Sequence, residues 1–362
     1  MRVNKIGVFC IEAVIARKRG GPSPSFPARH PVYNAATWRM GGWIGELLYP
    51  SSEANSAWGM TIMKAVGWWR WRQRWAPYLF LAPAGGLFAL FLAYPLVRSM
   101  VLSFYKSAGP RNDVFVGLGN YIYLLQDRYF WWAAINTALF TVGFVLLEVP
   151  LALGLALLLN HRQVWLKRTF RLAFFSTYLV GQVFVAVIFT SLLGGRQGLV
   201  NRLLVDMGLM AEPIGFLTDP RWTMLSLWIA ALWLMSGYGM IYLLAALQGV
   251  DEQLYEAAAV DGANRWGRLV HVTLPGIRPV LWFLVLVGAI GGLQLFELPY
   301  VLFRGSGPNS AGLTVVMYLF ITGFEIGDLG YASAIGWALV VLIAAFSLLY
   351  LRSTGLLREG EQ

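Results

Sequence analysis

Two groups of residues in this 362-residue chain have the types and spacing to do polar chemistry. The first lies in a run of about thirty residues, 249–279, that reads GVDEQLYEAAAVDGANRWGRLVHVTLPGIRP. Glu256 and Asp261 stand there among the small residues Ala257, Ala258, Gly262 and Ala263. A partner could approach that backbone closely and offer basic side chains to the carboxylates in charge-assisted hydrogen bonds. A solvated helix face is the alternative use of the same two acids. The second group is a set of polar side chains within apolar runs: Asn136, Glu148, Gln182, Gln294 and Glu297, with Trp233, Tyr238 and Tyr300 as aromatic neighbours. Such groups suit hydrogen bonding to an uncharged, hydroxyl-rich solute between aromatic walls, and they suit hydrogen bonding between helices equally well. Gln294, Glu297 and Tyr300 are spaced three apart, so a helix running through them would carry all three along one face.

Constellations for other chemistry are missing from the sequence. His30, His161 and His271 stand alone, Cys10 has no partner for an internal disulfide, and no Cys/His cluster has metal-ligand spacing. No nucleophile and base pair suggests a catalytic residue. The nearest approach to a phosphate-binding loop, Gly262 to Leu269, has Arg268-Leu269 where Lys and Ser/Thr must grip phosphate and magnesium. The reading is therefore no catalytic residue, no metal and no cofactor bound directly. Composition agrees: 58% hydrophobic and 13% charged residues lie far from a soluble enzyme. The net charge of +10 does not mark a nucleic-acid partner, because residues 1–75 hold 11 Lys/Arg against 3 Asp/Glu and the remainder holds 17 against 15.

The elements that must position these residues are membrane spans. A helix crossing the hydrocarbon layer needs roughly 20 apolar residues. Six stretches have that length: 76–102, 135–159, 174–193, 222–247, 280–303 and 332–351. Their continuous Leu-rich runs exclude the alternation of barrel strands. The sequence predicts an all-α, polytopic membrane protein of six transmembrane helices. Counted from residue 60, the side bearing both termini and the loops after spans two and four collects 13 Lys/Arg against 8, which places the N- and C-termini in the cytoplasm. The run from Trp68 to Trp75, which alternates indoles with guanidinium groups, reads as an interfacial anchor.

Residues 1–66, rich in Gly, Pro, Ser and Arg, read as a low-complexity extension that is disordered or begins at a misassigned start, without a cleavable signal. The six-helix transmembrane domain spans 67–352, and 353–362 form a cytoplasmic tail. Between spans four and five, 249–279 should fold as a cytoplasmic helix-turn-helix. Asp251 caps the first helix, Gly262 ends it in a positive-φ turn, and a second short helix through Trp266, Leu269 and Val270 runs to Pro275. Pro279 then opens span five. Gly288 and Gly292 form a small-xxx-small pair suited to close helix packing.

Glu256-Ala257-Ala258, Asp261-Gly262-Ala263 and Val272-Thr273-Leu274-Pro275 resemble the cytoplasmic EAA loop of permease subunits of binding-protein-dependent ABC importers. Gly262 falls four residues after Ala258, and Val272 ten after Gly262. Leu269 and Val272 depart from the usual Phe and Ile. YLFLAP and LAYPLVRSMVLSF in span one, FVGLGNYIYLL and INTALF around the start of span two, and the run from Phe296 to Gly336 extend the likeness over 76–352. There it is similar to the carbohydrate importers, and among them to the first permease subunit of the maltose, lactose and glycerol-phosphate type. The resemblance implies a multi-pass subunit of the cell (inner) membrane that imports a sugar or polyol. Its loop, through Glu256, Ala257, Ala258, Asp261, Gly262, Ala263, Leu274 and Pro275, would dock a separate nucleotide-binding subunit that uses the ATP. The implied partners are that ATPase, a second permease subunit, an extracytoplasmic solute-binding protein and the lipid bilayer. The polar residues of the spans themselves, Gln294, Glu297, Tyr300, Asn136 and Gln182, are the candidates for the substrate path. The competing reading is an ion-coupled secondary transporter, which would need inverted repeats and usually more intramembrane acids than Glu148 and Glu297.

Overall fold

The computed structural model describes residues 75–107, 113–161 and 166–354. The N-terminal extension 1–66, the anchor residues before Trp75 and the tail after Thr354 lie outside them. Among the described residues, apolar content and length make five of the helices long enough to cross a membrane, or six if a bent pair is counted as one span. The helices are α1 (Trp75–Leu102), α3 (Arg128–Asn160), α4 and α5 (Lys167–Leu179 and Gln182–Leu193, the pair), α7 (Pro220–Gln248), α9 (Arg265–Leu293) and α12 (Leu329–Thr354). Between them lie α2 (Gly119–Gln126), α6 (Leu199–Asp206), α8 (Glu252–Val260), α10 (Glu297–Phe303) and α11 (Val315–Glu325). The all-α, polytopic architecture is as the sequence indicates. By contact pattern the chain divides into two units, residues 1–87 and 88–362. Among the described residues the first unit contributes the opening turns of α1, and the second holds every later element.

The bundle is built around α3 and α7, with α9 and α4 laid against them. One core cluster joins Phe140 and Phe144 of α3 to Phe189, Leu227, Leu234 and Leu298, and a second joins Ala152 and Ala156 to Met240, Leu243, Ile277 and Leu284. Small residues set the spacing, because without a hydrophobic drive between helices in lipid, association depends on close packing and hydrogen bonds. A Cβ at Gly143 would enter the Trp228 ring, whose Nε1 donates to the Phe140 carbonyl at 3.1 Å. A Cβ at Gly292 would lie 2.7 Å from Thr141 Oγ1, and one at Gly288 would lie 3.4 Å from Val145, so this pair packs α9 on α3.

Three elements differ from the sequence reading. The third span, read as one helix over 174–193, is broken: α4 and α5 meet at 99° around Gly181, whose φ of +82° ends the first helix. The second cytoplasmic helix does not stop at Pro275. It continues as α9 to Leu293, with both Pro275 and Pro279 inside it. A π turn over Leu269–Thr273, closed by Leu274 N donating to the Leu269 carbonyl, widens the helix just before Pro275. Thr273 Oγ1 donates to the Arg268 carbonyl at 3.3 Å within the widened turn. The ring therefore fits without ending the helix. The same device recurs at Ala89–Ala93 before Pro95. Span five also ends at Leu293 rather than 303, because Gln294 and Phe296 leave helical geometry and α10 begins anew at Glu297. Outside the helices, a short antiparallel pair, β1 (Tyr105–Ser107) and β2 (Asp113–Phe115), pairs Tyr105 with Phe115 between the first two spans. Hydropathy alone does not show it.

Candidate functional sites at the two ends of the fifth span

The cytoplasmic site is assembled from local signals. Asp251 accepts from Gln253 N at 2.9 Å and caps α8, while Glu252 lies in its first turn. At the other end Gly262 takes φ +81°, and Ala263 N and Gly262 N donate to the Ala258 and Ala259 carbonyls at 2.9 and 3.1 Å, a Schellman closure. Asn264 then caps α9 by accepting from Gly267 N at 2.8 Å. Tyr255 OH meets Thr273 Oγ1 at 3.0 Å, which ties α8 to the widened turn of α9.

What remains exposed is a surface with both charge and apolar area. Glu256, Ala257, Asp261, Gly262 and Pro275 are exposed, and Ala258, Ala263 and Leu274 are half-buried. Leu254, Val260 and Trp266 are 54%, 88% and 71% exposed. These apolar side chains and the carboxylates of Glu256 and Asp261 are exposed on the same helical pair. Sequence reasoning named the acids and the small residues. It missed Val260, whose exposure follows only from where α8 ends.

The second site is a cavity of about 180 Å³ between α3, α4, α5, α7 and α9. Gln182, the first residue after the break in the third span, lines it with Glu148, Tyr178 and Tyr238. Tyr178, Tyr238, Tyr242 and Phe283 form an aromatic row with centroid separations of 5.0, 4.7 and 5.6 Å. Gly288, Gly291 and Gly292 of α9 also line the cavity. A Cβ at Gly291 would meet nothing within 4 Å, so its missing side chain leaves part of this space open.

Other path residues are placed differently. Gln294, Glu297 and Tyr300 do not share a face of one helix, because α9 ends before the first of them. Gln294 and Glu297 are exposed, and the neighbouring Leu295 and Leu298 line the cavity instead. Tyr300 donates to Glu325 Oε1 at 3.1 Å. It borders a separate cleft with Thr190 and Arg304. Asn136 spends both bonds of its amide on the Ser310 and Leu313 carbonyls, at 2.9 and 3.1 Å, and so anchors a loop. Trp233 packs edge-on against Phe189. The structure thus brings together Gln182, Glu148 and Tyr238 but not the remaining candidates. Tyr178 and Gly291 escaped the sequence reading, and the lining role of Gly288 and Gly292 was not part of it; Tyr178 stands at the end of α4, just before the 99° bend.

Residues 148–360, more than half of the chain, match the family described as binding-protein-dependent transport system inner membrane component. The lactose transport system permease protein LacF of Rhizobium radiobacter is 38% identical over 75% of this chain and 91% of its own length. The arabinooligosaccharides transport system permease protein AraP of Bacillus subtilis is 34% identical over 77% and 88%. The trehalose/maltose transport system permease protein MalF of Thermococcus litoralis is 30% identical over 78% and 95%. Among solved structures, a chain of a bacterial ABC transporter involved in the import of the acidic polysaccharide alginate superposes with a TM-score of 0.69 at 25% identity. The match covers 79% of this chain and 97% of that one. The helical cytoplasmic pair, the broken third span and the central cavity thus belong to a transport subunit and not to an enzyme: the chain is a member of the binding-protein-dependent transport system inner membrane components, multi-pass proteins of the inner membrane.

Proposed function

We propose that the chain is the permease subunit of an ATP-driven importer for a sugar or a related polyol. It forms half of the translocation path beside a second, similar permease subunit and receives solute from an extracytoplasmic binding protein. ATP is bound and hydrolysed by separate nucleotide-binding subunits, and this chain itself holds no cofactor. The ATPase docks on the cytoplasmic pair, where Glu256 and Asp261 face its basic residues and Leu254, Val260 and Trp266 fill its apolar groove.

The observation that carries this reading is the continuity of α9. One helix of 29 residues, about 43 Å at 1.5 Å per residue, joins the exposed pair at Arg265 to the cavity wall at Gly288–Gly292. Tyr255 fastens α8 to the same helix. A displacement imposed by closing ATPases is therefore delivered to the solute space through a single stiff element. The sugar class rests on the relatives and on the aromatic row beside the hydrogen-bonding side chains of the cavity.

Two substitutions test the docking role. Glu256→Lys reverses the charge offered to the partner, and Gly262→Val forces a β-branched residue into φ +81° although the space around it is open. Each should lower uptake by the assembled importer about tenfold or more while membrane insertion is retained and ATP hydrolysis no longer follows binding-protein addition. Normal uptake and normal stimulation in both variants would overturn the role.

A further inference from the structure

Glu148 is a carboxyl in the middle of α3, 4% exposed, that lines the cavity beside Gln182, Tyr178 and Tyr238. Its seat depends on Gly239: a Cβ there would run into Glu148 Oε1 and lie 2.9 Å from Ala152 Cβ. Among the described residues no hydrogen-bond donor or cation is directed at the carboxyl, which shares the cavity lining with Tyr238. Buried polar groups ordinarily have a partner, and an acid in a membrane span that faces a cavity without one is expensive to keep. A donor arriving with the solute would satisfy it.

We infer that Glu148 sets the charge selectivity of the path. Its oxygens accept hydrogen bonds from hydroxyl or ammonium groups of a neutral or amino sugar and turn away sugars bearing a carboxylate. The inference rests on the import reading above and names the substrate class of the same cavity. An acidic sugar would bring a second carboxyl into a desolvated space of about 180 Å³, where two neighbouring acids cannot both stay charged. A neutral sugar brings several donors and no such conflict. Gln182 and the tyrosine hydroxyls can either donate or accept, so of the polar lining groups only Glu148 discriminates by charge.

The test is saturation-transfer NMR on the importer purified with its companion subunits but without the binding protein, so that no other component filters the solute. The probes are two neutral monosaccharides, glucose and galactose, whose size suits a space of about 180 Å³, and their ring-retaining C6 carboxylate counterparts, glucuronate and galacturonate. Wild type should bind at least one neutral member over its acid counterpart by about tenfold, and Glu148→Gln should remove that preference. Glu148→Gln keeps the side-chain shape, and a purely structural role would weaken both members of a pair without changing their ratio. An unchanged ratio in Glu148→Gln, a wild type that prefers the acids, or no binding of any probe by wild type would overturn the inference. Uptake of glucose and galactose by cells carrying the complete system reads the import function separately: import with an unchanged ratio fails only the role of Glu148, and no import fails the sugar reading itself.

Discussion

The two ends of α9 are built on opposite principles. At the cytoplasmic end, Asp251, Gly262 and Asn264 shape the chain through bonds to residues within five positions. At the outer end the bonds are long-range. Thr314 Oγ1 donates to the Leu295 carbonyl at 2.7 Å, Val315 N donates to Thr137 Oγ1 at 3.0 Å, and Asn136 holds two carbonyls of the loop before α11. Asp127 completes this end. It is buried, caps α3 through Tyr129 N, and accepts from Tyr318 OH and Tyr331 OH at 2.5 and 2.6 Å. The exposed segment carries its own instructions, whereas the segment that closes the bundle takes its shape from the residues around it.

The contrast breaks most visibly at Asp127. Asp127→Ala removes a helix cap and leaves two tyrosine hydroxyls without their acceptor, so it should cost about 3 kcal/mol or more. That loss would be read as a large fall in the thermal midpoint of the detergent-solubilised complex. Thr314→Val should cost about 1–2 kcal/mol, because the Leu295 carbonyl loses its donor and Met317 N loses its cap. Tyr255→Phe sharpens the comparison from the other side. It removes one hydroxyl contact, costs about 1 kcal/mol or less in stability, and should lower uptake more than it lowers the midpoint. Gly262→Asn should have the smallest effect of all, since Asn tolerates the left-handed region, with uptake close to wild type where Gly262→Val fails. Equal uptake in the Asn and Val variants would show that φ at this turn does not matter.

The same contrast explains what was legible in the sequence. The five long apolar helices follow from hydropathy alone, and the cap and turn of α8 follow from Asp251 and Gly262, because the physics that sets them is local. Pro275 misled for a particular reason: a proline ends a helix only if the turn before it keeps its 3.6-residue winding, and the π turn at Leu269–Thr273 does not. The outer end of span five was illegible because Leu295 and Leu298 are buried in a cluster where α10 packs on α5 and α7, so the break at Gln294 belongs to the bundle and not to its own residues. Gln182 was legible as a polar residue in an apolar run. Its place in the cavity was not, since that depends on a 99° bend at Gly181 that hydrophobicity does not register.

Site-specific photo-crosslinking in the assembled importer tests the central claim, that the exposed pair around Glu256 is the ATPase contact, most directly. A photoreactive residue at Ala257 or at Val260, which is 88% exposed, should capture the nucleotide-binding subunit, and the same residue at Phe324, 72% exposed at the opposite end of the bundle, should not. Absence of an ATPase adduct from both cytoplasmic positions, with the importer intact and active, would contradict the account.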